Sequence, residues 1–166
     1  LIPEYQSDVY QPRTVDALAQ STLDEASVVV VRGKPGSGKT RIAWECLRRF
    51  PDVSVVLPVS DQPPATFSTS GVESDDVILL LDDLHLRTQT LDAAAWWQAL
   101  NDHWEGRCKL IATARAGDDW AEIEDKQASL LRLIGTAVIV DANEFSKETE
   151  GDAFRTRLGM SLSLIH

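Results

Sequence analysis

Basic side chains are scarce in this 166-residue sequence, which has 16 lysines and arginines against 26 aspartates and glutamates and a formal net charge of -10 at pH 7. Such a balance disfavours broad electrostatic attachment to nucleic acid or to an anionic membrane surface. Long apolar runs are lacking as well, since the longest, Val77–Leu81 and Ala93–Trp97, are far too short to cross a bilayer. We therefore expect neither a membrane span nor direct nucleic-acid binding.

Cysteine is also rare, because the sequence contains only Cys46 and Cys108. The two form neither a zinc-type spacing nor a disulfide framework. The histidines His85, His103 and His166 are isolated along the chain and add no zinc pattern. We predict that both cysteines are buried, reduced thiols, and that the protein is cytoplasmic.

Short apolar runs are what the sequence does contain. Five of them are rich in β-forming residues: Val28–Val31, Val53–Leu57, Val77–Leu81, Leu110–Thr113 and Ala137–Val140. They are almost continuously apolar, which is typical of strands covered on both faces. Helical patterns lie between several of them, and this alternation indicates an α/β fold, a three-layer sandwich around a parallel sheet.

The helical patterns are a leading helix over residues 14–23, an amphipathic helix that follows Thr40 and stops at Pro51, a helix between Leu91 and Trp104, a weaker candidate over Ile123–Leu133, and Ser146–Leu158 with Gly159 as its cap. Trp97 and Trp104 share a helix side with core positions. We therefore expect Trp96 and Trp120 to be the more exposed tryptophans. The polar stretch Ser60–Asp76 predicts a long loop.

The segment Gly33–Thr40, GKPGSGKT, matches the pattern G-x-x-x-x-G-K-[ST] directly after a valine strand and directly before an amphipathic helix. Its glycines, Gly33, Gly36 and Gly38, let the backbone turn tightly, so that successive N–H groups can converge on an anion. The N-terminus of the following helix adds a partial positive charge. The segment therefore predicts a nucleotide phosphate site.

Four side chains in or directly after this segment complete the predicted site. Lys39 should reach the β- and γ-phosphates, which makes it both a binding and a catalytic residue, and the Thr40 hydroxyl should be a ligand of Mg²⁺. Ser37 and Arg41 belong to the predicted nucleotide-binding set as neighbours of these two residues.

The stretch 77-VILLLDDLH-85 runs from an apolar strand into two carboxylates. Asp82, at the end of the strand, is predicted to support Mg²⁺ in the Walker B role, and Asp83 to orient or deprotonate the attacking water. The alternative is that the two aspartates begin a turn and cap the next element. For His85 we expect a surface or packing role.

A second strand, 109-KLIATAR-115, ends in polar residues. Thr113 and Arg115 should lie beside the γ-phosphate at the carboxyl edge of the sheet, where such folds bind ligands. An arginine there can sense or stabilise phosphate charge. A surface ion pair of Arg115 with Asp118 or Asp119 is the alternative, and the residues alone leave both open.

In this order, GKPGSGKT, VILLLDDLH and KLIATAR together resemble the STAND NTPases, signal-transduction ATPases with numerous domains, a branch of the additional-strand P-loop class. The third motif of that family ends in an arginine, as here at Arg115. The segment 10-YQPRTVD-16 resembles the short motif that precedes the P-loop in bacterial members, with Pro12, Arg13 and Asp16 in matching places.

The resemblance implies a sheet of order 5-1-4-3-2, with the Arg115 strand between the P-loop strand and the Walker B strand. It places Pro12 and Arg13 near adenine and ribose, and implies ATP or ADP as ligand with Mg²⁺ as cofactor. The expected function is an ATP-driven, slowly hydrolysing switch in a larger multidomain protein. Its partners would be the other domains of that chain, and a nucleotide-dependent oligomer is compatible with it. Residues 1–27 would form an N-terminal segment, 28–160 the core and 161–166 a tail.

Two other functions stay open. A small-molecule P-loop kinase can be this short, although the stretch Asp61–Asp76 lacks the arginine that a kinase lid usually supplies. A nucleotide-gated interaction module would bind without significant hydrolysis. A guanine-specific switch is disfavoured because no N/T-K-x-D motif follows the P-loop.

Overall fold

The computed structural model describes residues 12–67, 74–87, 90–126, 132 and 135–142. The helices are α1 Thr14–Glu25, α2 Lys39–Leu47, α3 Leu84–Arg87, α4 Ala93–His103 and α5 Asp118–Lys126. The strands are β1 Val28–Gly33, β2 Ser54–Val56, β3 Val77–Leu81, β4 Cys108–Arg115 and β5 Val138–Asp141. Each of the five predicted β-rich runs overlaps one of these strands, and the leading helix is present as α1.

The five strands form one parallel sheet in the order β2-β3-β4-β1-β5. Read from the other edge this is 5-1-4-3-2, so the predicted order is confirmed. Strand β4 lies between β1 and β3, with Val28 opposite Leu110 on one side and Cys108 opposite Val77 on the other. Because all strands are parallel, the residues that follow β1, β3 and β4 meet at the same edge of the sheet, its carboxyl edge.

Helices cover both faces of the three central strands, β1, β3 and β4, which explains why these strands are continuously apolar. The prediction fails for the two edge strands, since Val55 of β2 and Val138 and Ile139 of β5 are exposed. In β1, Val29 and Val31 pack in the core beneath α1 and α2, whereas Val28 and Val30 pack in the core beneath α4 and α5. All four valines are buried. Each such side chain contributes about 1.5–3 kcal/mol relative to an exposed one. The predicted three-layer sandwich is confirmed.

The predicted exposure of two tryptophans is wrong. Trp96 and Trp120 are each 4% exposed, whereas Trp97 is only partly buried. Spacing alone fits both Trp96 and Trp97 to the core side of α4, and the loop after β2 decides between them. Phe67 packs against Trp96 with ring centroids 6.1 Å apart, and the Ser60 carbonyl accepts a hydrogen bond from Trp96 Nε1 at 3.1 Å.

Helix α5 begins at Asp118, earlier than the predicted Ile123. The reason is that Trp120 and Ile123, three residues apart, both pack into the core beneath α4 and α5. Most of the C-terminal part of that helix candidate lies outside the described residues, as do Ser146–Leu158 and Gly159.

Cys46 and Cys108 are free and buried, as predicted. Burial raises the pKa of each thiol to about 12. Among the helices of the described residues, none combines the length and the apolar character that a membrane crossing requires.

Candidate functional site

The predicted phosphate-binding loop, Lys34–Gly38, connects the carboxyl end of β1 to the start of α2. Gly36 and Gly38 have φ angles of 76° and 81°, in the left-handed region that residues with a Cβ rarely adopt. Gly38 occupies the N-cap position of α2, so the first N–H groups of that helix open onto the loop. This is the backbone arrangement in which helix N-termini bind anions.

Lys39, the first residue of α2, is buried, and its ammonium lies beside the loop. Its Nζ donates a hydrogen bond to the Lys34 carbonyl at 2.9 Å. Burial lowers the pKa of Lys39; the charges of Asp83 and Asp82 oppose that shift, and the charge of Arg115 adds to it. Three charged residues predicted for the site therefore lie close enough to act electrostatically on Lys39.

Two hydroxyl groups converge on the Asp82 carboxylate. Thr40 Oγ1 donates to Asp82 Oδ1 at 2.9 Å, and Thr113 Oγ1 donates to the same oxygen at 2.6 Å. Thr113 also accepts a hydrogen bond from the Asp83 backbone N–H at 2.9 Å. Thr113 is fully buried, so both of its hydrogen bonds form away from solvent. This network joins the ends of β3 and β4 to the start of α2.

Asp83 has a φ of 51°, an uncommon backbone conformation that aspartate tolerates better than most residues. Its side chain is 48% exposed, and Oδ1 lies 4.0 Å from Nδ1 of the buried His85. Burial lowers the pKa of His85, and the charge of Asp83 opposes that shift. The burial of His85 agrees with the expected packing role.

Arg115 ends β4 opposite Gly33, the last residue of β1. Its guanidinium Nη1 lies 3.9 Å from Asp119 Oδ2, and its side chain is 43% exposed. The surface ion pair considered from the sequence therefore forms, and the phosphate role of Arg115 stays a prediction. Arg41 Nη2 pairs with Glu45 Oε1 at 2.6 Å along α2.

The segment before α1 also reaches the loop. Pro12 is exposed, whereas the Arg13 side chain is mostly buried and its Nη1 donates a hydrogen bond to the Ser37 carbonyl at 2.9 Å. Sequence reasoning missed this contact, since the loop is distant in the chain. The sequence also predicted Thr113 beside the γ-phosphate, but not its hydrogen bonds with Asp82 and the Asp83 backbone. The signal that could have revealed these hydrogen bonds was a threonine at the end of an apolar strand, where its hydroxyl is buried.

The oxygen ligands at this edge suit a hard cation. A threonine hydroxyl and an aspartate carboxylate in hydrogen-bond contact, next to a phosphate-binding loop, form a donor set of the kind that Mg²⁺ uses together with phosphate oxygens and water. The residues Thr40 and Asp82 therefore fit the predicted magnesium site.

No protein-family model matches this chain, and no curated protein matches it. Among solved structures, it is similar to the "Structure of the Aeropyrum Pernix ORC2 protein (ADPNP-ADP complexes)", with 16% sequence identity and a TM-score of 0.47. The match covers 80% of this chain and 50% of that one, so the chain spans about half the length of the archaeal protein. The strand order and register themselves establish the fold. The chain has the architecture of a P-loop NTPase-like sandwich.

Proposed function

We propose that this chain binds a nucleoside triphosphate with Mg²⁺ and hydrolyses it slowly, as the switch domain of a larger signalling or regulatory protein. The observation that carries the proposal is the convergence of the Thr40 and Thr113 hydroxyls on Asp82, next to Lys39 and the phosphate-binding loop. The preference for ATP and the switch role rest on the resemblance to the STAND NTPases.

Binding would use the loop backbone and Lys39. The left-handed glycines turn the loop tightly, so that its N–H groups could converge on phosphate oxygens, and the N-terminus of α2 favours negative charge. Lys39 Nζ would exchange the Lys34 carbonyl for the β- and γ-phosphate oxygens. That exchange would restore the charge balance of a buried ammonium, because a phosphate anion stabilises it more strongly than a carbonyl does.

Two adjacent carboxylates would have different roles in hydrolysis. Thr40 and Asp82 would hold Mg²⁺, which neutralises charge on the β- and γ-phosphate oxygens when bound. Asp83, fixed in its left-handed conformation by Thr113, would orient the attacking water and accept its proton as the bond to the leaving oxygen breaks. Arg115, about half exposed, would stabilise the γ-phosphate charge after leaving Asp119.

The test is a titration of ATP and ADP by calorimetry, with and without Mg²⁺, together with phosphate release. We expect Lys39→Ala to weaken ATP binding about 100-fold, since charged hydrogen bonds contribute about 1.5–3 kcal/mol. Asp83→Asn should lower phosphate release about 100-fold or more with unchanged affinity, because asparagine also tolerates the left-handed conformation. Unchanged melting temperatures for both variants serve as the folding control.

Other outcomes separate the alternatives. Tight wild-type binding without phosphate release would indicate an interaction module gated by nucleotide. Transfer of the γ-phosphate to an added small-molecule acceptor would indicate a kinase. If the wild-type protein bound neither ATP nor ADP, the proposal would be wrong.

A further inference from the structure

Arg13 links the entry of α1 to the phosphate-binding loop. Its Nη1 donates to the Ser37 carbonyl at 2.9 Å, and its Nη2 lies 3.1 Å from the position that a Cβ at Gly38 would occupy. The same guanidinium lies 3.7 Å from Asp16 Oδ1, while Asp16 Oδ2 accepts the Arg13 backbone N–H at 2.6 Å. Both side chains are largely buried. One arginine thus holds both the start of α1 and the loop.

The peptide between Ser37 and Gly38 is the part of the loop that Arg13 contacts. In a planar trans peptide the C=O and the following N–H point in opposite directions. A guanidinium that fixes the Ser37 carbonyl therefore also fixes the Gly38 N–H, which must point away from Arg13. Backbone N–H groups of such loops bind phosphate, so this contact would control a group that touches a bound phosphate.

The charge of Arg13 is offset by its partner. Asp16 is buried beside it and carries the opposite charge, so the pair adds little net positive charge to the loop. Geometry is the larger contribution, because the planar guanidinium presents several N–H groups in a fixed fork and can satisfy two acceptors at once. A lysine at this position has one nitrogen and cannot reproduce that fork.

We propose that Arg13 is a positioning residue of the phosphate cradle, which acts through the Ser37 carbonyl on the Gly38 N–H, instead of a residue that reads adenine or ribose. The proposal rests on the proposed function, since it requires that the loop binds phosphate. It also makes the entry of α1 part of the site, so that a displacement of Arg13 would alter phosphate binding.

Inorganic tripolyphosphate with Mg²⁺ separates the two roles, because it has the phosphate chain of ATP without base or sugar. If Arg13 acts through the loop, Arg13→Gln should lower the affinities for tripolyphosphate and for ATP by the same factor. We expect about tenfold, for the loss of one charge-assisted hydrogen bond. Arg13→Lys should also weaken both, and it provides a second variant that retains the charge. Weaker ATP binding with unchanged tripolyphosphate binding would overturn the proposal.

Lys109→Met is the matched control, since Lys109 holds the other end of the same helix. Its Nζ donates to the carbonyls of Leu23, Asp24 and Ala26 at 2.6, 3.2 and 3.4 Å. We expect this variant to melt at a lower temperature and to bind tripolyphosphate within twofold of wild type. An equal loss of tripolyphosphate affinity in both variants would mean that any loosening of α1 weakens the loop, which also overturns the proposal. If the wild type bound neither ligand, the proposed function itself would fail.

Discussion

The two edges of the sheet use polar residues differently. At the carboxyl edge, the buried polar residues Asp16, Ser37, Lys39 and Thr113 lie in or near the phosphate-binding loop. At the amino edge, a cavity of about 200 Å³ is lined by residues such as Phe50, Val53 and Gly106. The ion pair there, Arg107 with Asp75 at 3.5 Å, is exposed. Burial of polar groups is therefore concentrated where the ligand is expected. Removing these groups from water costs free energy, which is offset only when their hydrogen bonds are satisfied within the protein.

Residues with a left-handed backbone conformation differ between the two edges in the same way. At the amino edge, Glu105 and Gly106, with φ of 51° and 82°, form the exposed turn that follows α4. Such a turn is an ordinary way to end a helix. At the carboxyl edge, Asp83 adopts the same φ of 51°, but its N–H is bonded to the buried Thr113, which also holds Asp82. Strain of this kind concentrates at functional sites because the surrounding contacts maintain it.

The largest effect on this contrast should come from Thr113→Val. Valine has nearly the same shape but removes the hydroxyl that joins Asp82 to the Asp83 N–H. We expect the free energy of unfolding to fall by about 1–3 kcal/mol, because a buried N–H loses its acceptor. Phosphate release should fall at least about tenfold, since both carboxylates lose a fixed position. Denaturant titration and phosphate release measure the two effects.

Thr113→Ser is the control for that experiment, because serine retains the hydroxyl. It should recover most of the phosphate release, with a smaller loss of stability from the missing methyl group. If Thr113→Val hydrolysed ATP at the wild-type rate, the hydrogen-bond network would be structural only. The contrast between the two edges would then have no functional meaning.

An intermediate effect is expected at the amino edge for Lys109→Met. The ammonium is the donor for three carbonyls at the C-terminal end of α1, and methionine keeps the apolar stem without the donor. We expect a loss of about 1–3 kcal/mol in the free energy of unfolding, measured by urea denaturation. ATP hydrolysis by the folded protein should be unchanged. A large loss of hydrolysis would mean that the amino edge also contributes to the site.

The smallest effect should come from Glu105→Gly. A left-handed conformation costs a residue with a Cβ about 1–2 kcal/mol, whereas glycine adopts it freely but loses about 0.5–1 kcal/mol through greater freedom when unfolded. The net expectation is a gain in the free energy of unfolding of up to about 1 kcal/mol, with unchanged ATP affinity. A clear loss of stability would indicate that the Glu105 side chain makes a stabilising contribution that outweighs its backbone strain.

Much of the fold could be predicted from local sequence pattern. The continuously apolar runs predicted the parallel strands, of which the three central ones are buried. The glycine-rich segment predicted the tight turn between β1 and α2. Helix faces were less predictable. Spacing of three and four residues fits Trp96 and Trp97 equally well, and the choice between these two depended on Phe67, which packs against Trp96 from a distant part of the chain. The burial of Trp120 was missed because α5 begins earlier than predicted.

By itself, the sequence determined which residues are candidates for binding phosphate and Mg²⁺, since glycines, a lysine, a threonine and an aspartate at the end of an apolar strand are properties of short segments. Only the tertiary structure decided which of them touch. The parallel sheet brings Thr113 to Asp82, and the packing of α1 against α2 brings Arg13 to Ser37. These contacts join residues far apart in the chain, and their geometry depends on how the layers pack, which no local pattern encodes.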